Sequence, residues 1–276
     1  MLQIFAEAWP FLLGLVPKMT LIALVVVAST SFAEKAGPVI GGLVATLPIS
    51  SGPVYLLLAL DHGPAFIAEA AITSFSGMVA AGLMLVAYVF LAQRGGTALS
   101  VILSLIAWAL AIAVLLGLGV HPMIPIVLGL VVFVGGSALV RRFGDVALSS
   151  GHSSWRDFAV RGLAVAAMVA AVEIAAAFAG PEATGIFASV PVTFVAMMVI
   201  IQSRHGGPAS AAVMAHALPG LSGVTAAFLL LHLTAVPLGN TRALLLALVV
   251  SVSWSAFLLT LHLRRRPALV SNASPS

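Results

Sequence analysis

The chain has 276 residues, of which 62% are hydrophobic and only 7% charged, and its mean hydropathy is +1.20. So few charges exclude a water-soluble domain, whose surface they could not cover, and leave lipid as the main solvent. The net charge of +4 comes from Lys and Arg scattered at the ends of apolar runs, which argues against a nucleic-acid binder, and the lack of cysteine excludes disulfides and thiolate chemistry.

A bilayer core needs about 20 apolar residues per helical span. Backbone groups in lipid must be satisfied internally, and runs this long and continuous are helices rather than barrel strands. The expected fold is therefore an all-α integral membrane protein. Nine spans are predicted, near 14-33, 38-60, 65-92, 97-119, 122-140, 157-179, 184-202, 208-232 and 242-263.

The first run ends at Ser29-Thr30-Ser31-Phe32-Ala33, which has the look of a cleavage site, but Glu7 and the lack of early basic residues argue against a signal peptide. Nine spans put Lys35, Arg94, Arg141, Arg142, Arg156, Arg161, Arg204 and Arg264 to Arg266 on one side, against Lys18 and Arg242. By the positive-inside rule that side is cytoplasmic, with the C-terminus inside and the N-terminus outside a bacterial-type inner membrane.

The chain also matches itself at an offset of 143. Ala36-Gly37-Pro38 falls on Ala179-Gly180-Pro181, Gly42 on Gly185, Ala45 on Ala188, Pro48 on Pro191, and His62-Gly63 on His205-Gly206. With a few inserted residues Trp108 meets Trp254. The expectation is two four-helix units, 1-121 and 157-266, joined by a linker helix and loop over 122-156 and followed by a disordered tail over 267-276. An odd number of spans between the two starts makes the repeat inverted, a common frame for secondary transporters.

Within that frame the second and seventh spans each carry Pro, any residue, then a hydroxyl: Pro48 to Ser50 and Pro191 to Thr193. A proline cannot donate to the carbonyl four residues earlier, so Val44 and Phe187 are expected to hold freed acceptors. Val44, Pro48, Ser50, Phe187, Pro191 and Thr193 are therefore the expected solute site near the bilayer midplane, with a plain structural kink as the alternative.

Charged groups inside spans are functional candidates because uncompensated burial is costly. Glu173, Glu69 and His216 are the candidates for proton coupling. The alternatives are a hydrogen-bonded neutral carboxyl for Glu173, a surface-seeking side chain for Glu69 and an interhelical hydrogen bond for His216. Arg264 to Arg266 form a cytoplasmic stop signal suited to anionic lipid. The sequence contains no metal-binding helix, Walker A loop or nucleophile elbow, so neither an enzyme nor a cofactor is expected.

Gly42 to Pro48, Leu57 to His62 and the apolar helix from Phe66 are similar to the core of small four-helix GlpM-type bacterial inner-membrane proteins, and Gly185 to Pro191 repeats the likeness. The resemblance covers about 35 residues per half and rests on Gly and Pro placement. It implies duplication of a four-helix unit, loosely similar to the drug/metabolite transporter pattern. That pattern has two inverted sets of five helices, whereas four, one and four are expected here.

The functional expectation is a secondary-active transporter of a small neutral, zwitterionic or amphiphilic solute, with a proton as candidate coupling ion. A passive channel and a non-transporting scaffold are the alternatives. The bilayer and the solute are the expected partners, and the small-residue face at Gly37, Gly41 and Gly42 is a candidate dimer contact.

Overall fold

The structure is a computed structural model that describes residues 16, 17, 19–21, 23, 24, 37–49, 51–118, 123–144, 146 and 155–265. Its helices from residue 37 onward are α1 Gly37–Ala45, α2 Ser51–Asp61, α3 Pro64–Leu91, α4 Thr97–Gly117 and α5 Met123–Phe143, then α6 Trp155–Phe178, α7 Gly180–Ala188, α8 Val192–His205, α9 Gly207–Leu238 and α10 Asn240–Arg265. No strand occurs among the described residues. Six helical stretches among them are long and apolar enough to cross a membrane: α3, α4, α5, the run Gly180–His205 that joins α7 to α8, α9, and Asn240–Arg264 of α10.

The protein is thus all-α and suited to a bilayer. The predicted spans 65-92, 97-119 and 122-140 correspond to α3, α4 and α5, and those at 208-232 and 242-263 to α9 and α10. Two predicted spans are each broken in two: 38-60 into α1 and α2, and 184-202 into α7 and α8. The span at 157-179 is α6, whose apolar part is the shorter stretch Gly162–Phe178. Most of the predicted span 14-33, and the tail, lie outside the described residues.

α3 and α9 form the centre. They pack extensively on each other, α4 covers α3, and α10 covers α9. Asn240 Nδ2 at the start of α10 donates to the carbonyls of Ala59 (3.3 Å) and His62 (2.9 Å), which places the end of α9 beside the start of α3. At the other end Gln202 Nε2 donates to the Gly95 carbonyl at 3.0 Å, placing the start of α9 beside the end of α3. The two central helices therefore run antiparallel.

These contacts also sort the charges. Arg94, Arg141, Arg142, Arg156, Arg204 and Arg264 lie at the Gly95 end of the bundle, with Asp61, Glu182 and Arg242 at the other. Chain reversals at helix starts use glycine where φ is positive, as at Gly206 (φ 83°) and Gly239 (φ 79°), a region costly for side-chain-bearing residues.

Helix starts recur at a fixed spacing. Gly37 and Gly180, Pro64 and Gly207, and Thr97 and Asn240 are each 143 residues apart. The packing partners recur as well: α1 lies on α9 and α7 on α3, while α2 lies on α10 and α8 on α4. Two close approaches underlie the first of these pairings. A Cβ at Gly42 would meet the Val213 carbonyl oxygen at 2.8 Å and His216 Cβ at 3.1 Å, and one at Gly185 would meet the Ala70 carbonyl oxygen and Thr73 Cβ. Ala70 and Val213, like Thr73 and His216, are again 143 apart. Gly42 is thus occupied by a contact within the chain, so the predicted dimer face is corrected at that residue.

Polar side chains tie the basic end together. Buried Tyr88 on α3 donates through Oη to Gln202 Oε1 on α8 (2.7 Å) and accepts from Ser210 Oγ on α9 (2.7 Å). Tyr88→Phe leaves both partners short of a bond in an apolar interior and is expected to lower stability by about 1–2 kcal/mol. Thermal unfolding in detergent checks this, and an unchanged midpoint would show that the network contributes nothing net.

Candidate functional site

The site is built where α1 stops short of α2 and α7 short of α8. Pro48 and Pro191 cannot donate a backbone bond, and the chain resolves this in the same way twice. Thr46 N donates to Leu43 O (3.1 Å), Leu47 N to Val44 O (3.1 Å), Ile49 N to Leu47 O (2.7 Å) and Gly52 N to Pro48 O (2.9 Å). Their counterparts are Ser189 N to Ile186 O (3.1 Å), Val190 N to Phe187 O (3.2 Å), Val192 N to Val190 O (2.8 Å) and Val195 N to Pro191 O (3.0 Å).

Pro191 has φ −82° and ψ 53°, the centre of an inverse γ-turn. The side chains follow suit. Thr46 Oγ1 donates to the Leu43 carbonyl and Ser189 Oγ to the Ile186 carbonyl, both at 2.7 Å. Hydroxyls bonded to their own helix in this way help to end it.

This corrects the expectation for Val44 and Phe187. Their carbonyls are not left open by the prolines, because the N–H groups of Leu47 and Val190, three residues on, take them up. Nor do their side chains reach the centre, since Phe187 is 41% exposed and Val44 half-buried. Polarity at the breaks is instead that of the helix ends themselves, where turn bonds close α1 and α7 and short bonds two residues apart lead into α2 and α8.

Both breaks border a single cavity of about 40 Å³, room for about one water at liquid density. Its walls come in pairs 143 residues apart: Ala45 with Ala188, Leu47 with Val190, Met78 with Leu221, and Ala81 with Val224. Thr46, Pro191 and Thr193 also line it. Beside it Thr46 rests on Gly220 and Ser189 on Gly77, where a Cβ would collide with the hydroxyl; these two contacts are again 143 apart. Gly77 lies 13 residues into the 28 of α3, which places the contact about 20 Å along the helix, near its middle.

Of the expected solute residues, the structure therefore brings Pro191, which is buried, and half-buried Thr193 to the cavity. Pro48 shapes its own break without lining the space, and Ser50 lies outside the described residues. The small side chains Ala45, Ala81 and Ala188 were not anticipated, although the offset that pairs Pro48 with Pro191 also pairs Ala45 with Ala188.

The three ionisable candidates are dispersed. Glu173 is buried on α6, which packs on α7, α8 and α2, and does not line the cavity. Glu69 is exposed in the second turn of α3. His216 on α9 holds the Gly144 carbonyl through Nε2 at 3.1 Å and faces a different cleft. The two matched indoles act alike: Trp108 Nε1 donates to Gly77 O (3.2 Å) and Trp254 Nε1 to Pro219 O (2.9 Å), each bracing a central helix next to the site.

No protein-family model, curated protein or solved structure matches the chain.

Proposed function

We propose that the chain is a secondary-active transporter of a small neutral, zwitterionic or amphiphilic solute in a bacterial-type inner membrane, built from two inverted four-helix repeats joined by α5. One observation carries the reading: two broken helices, matched bond for bond, share one cavity between antiparallel central helices. Broken helices in corresponding positions of two halves are where transporters bind solute near midplane.

Helix dipoles bring two partial positive ends, from α2 and α8, and two partial negative ends, from α1 and α7, to that cavity. Balanced ends favour a dipolar or zwitterionic solute over a net ion. The Thr46–Gly220 and Ser189–Gly77 contacts are matched barriers, and a conformation that opens one has a counterpart of similar energy that opens the other. The arginine-rich end faces the cytoplasm in this reading, as the positive-inside rule requires.

Glu173 is the proposed proton carrier, acting from α6 on the α7–α8 unit it packs against. Uptake of a mixture of small metabolites by proteoliposomes, with and without a pH gradient, tests the reading. Gradient-driven accumulation of one compound is expected, and Glu173→Gln is expected to retain downhill exchange while losing the accumulation. Flux that never exceeds equilibrium would replace the transporter by a passive channel, and no flux at all would leave a scaffold.

A further inference from the structure

At the basic end a second cleft, of about 310 Å³, opens between α1, α5, α9 and α10. We propose that it binds the phosphate headgroup of an anionic phospholipid. Its polar wall is Arg141 and Ser137 from α5, His216 from α9 and His262 from α10. Leu43, Leu258 and Leu261 make much of the rest. The two imidazole rings stand edge to face with centroids 6.2 Å apart.

Ser137 Oγ is buried and has no hydrogen-bond partner among the described residues. A buried hydroxyl in that state carries a desolvation cost, which a ligand oxygen would remove once Oγ rotates toward the cleft that its residue lines. Arg141 supplies a guanidinium fork whose geometry matches phosphate oxygens, and His262 adds an imidazole on the same wall, while His216 keeps its Nε2–H on the Gly144 carbonyl. The charge on this wall is positive, so the group it recognises is an anion.

Position distinguishes a lipid from a dissolved anion. α5 and α10 are the least buried of the long apolar helices, with 22% and 11% of their most apolar stretches covered by protein. The cleft therefore opens between two helices whose outer faces meet lipid, where Phe257 and Leu263 of α10 stand exposed beside it. The volume corresponds to about ten water-sized groups, enough for a phosphate and its glycerol link, leaving the acyl chains outside along α5 and α10.

The α5 residues on this cleft are not among the pairs that line the axial cavity. Its α5 wall follows a π-helical turn, Val131–Gly136, that shifts the register of the helix immediately before Ser137. A bound headgroup would join that helix to α9 and α10 at one point.

The test uses the full chain in nanodiscs of equal phosphatidylglycerol and phosphatidylcholine, with retained lipid read by native mass spectrometry after transfer to detergent. Retention of phosphatidylglycerol is expected, falling about tenfold or more in Arg141→Gln and less in Ser137→Ala. Thermal unfolding in phosphatidylcholine alone checks that the variants fold, and His262→Gln gives the same reading should Arg141→Gln fail. Equal retention of the two lipids, or retention indifferent to Arg141, overturns the proposal. So does Arg141-dependent stabilisation by inorganic phosphate without preference for phosphatidylglycerol, which would make the ligand a dissolved anion.

Discussion

Gly185→Leu and Gly42→Leu are each expected to leave little folded protein, measured as monodisperse material by size exclusion in detergent. At Gly185 a side chain would enter the Ala70 carbonyl and the Thr73 side chain of α3, and it would displace the bond that Ser74 Oγ donates to the Gly185 carbonyl at 2.9 Å. At Gly42 the first carbon alone would lie 2.8 Å from the Val213 carbonyl oxygen and 3.0 Å from Ala217 N, both on the backbone of α9. Backbone cannot move aside as a flexible side chain can, so the cost should exceed the roughly 1–3 kcal/mol of ordinary overpacking. A cost that reaches about 5 kcal/mol, the low end of the usual range of total stability, depopulates the fold.

Gly117→Ala is the control. A Cβ there meets nothing within 4 Å, and the change should stay within about 1 kcal/mol of wild type. Similar losses at Gly42 and Gly185, with none at Gly117, would show that the α1–α9 and α7–α3 contacts carry comparable weight. A tolerated Gly185→Leu would mean that α7 does not sit against α3.

Composition alone was enough for the membrane class, because 7% charge leaves no other solvent. The breaks were legible too, since proline removes a donor wherever it stands. What those breaks present was not. The partner of a freed carbonyl depends on how the next residues turn, and Leu47 and Val190 close the gap in a bond pattern that no residue type announces.

The lining of the cavity was hidden for a related reason. A helix apolar on every side, such as α9, gives no periodicity to separate a face on lipid from a face on a cavity. Phe187 and Ala188 are adjacent and both apolar, yet one is exposed and the other buried at the site. The offset of 143 was the stronger signal, since it pairs wall residues without reference to hydropathy. Distance through the fold was beyond it: Glu173 and His216 were grouped by chemistry, and the packing of α6 and α9 separates them from the axial space.

That separation sets up a test of which residues face the solute. Ala45→Val with Ala188→Val adds two carbon atoms to each of two opposing walls of a cavity of about 40 Å³. The added atoms occupy the space a solute needs, and a penalty of about 1.4 kcal/mol or more on the occupied state lowers flux about tenfold or more. Val44→Leu with Phe187→Leu alters the neighbouring residues, which do not line the cavity, and should leave flux near wild type. Proteoliposome uptake measures both, with thermal unfolding as the check on folding. If flux falls instead with the Val44 and Phe187 pair and survives the alanine pair, solute passes along the outer side of the broken helices, and the axial cavity is only a packing gap. If the alanine pair blocks flux while the protein stays folded, the space between the two breaks is the path, because those substitutions share nothing else.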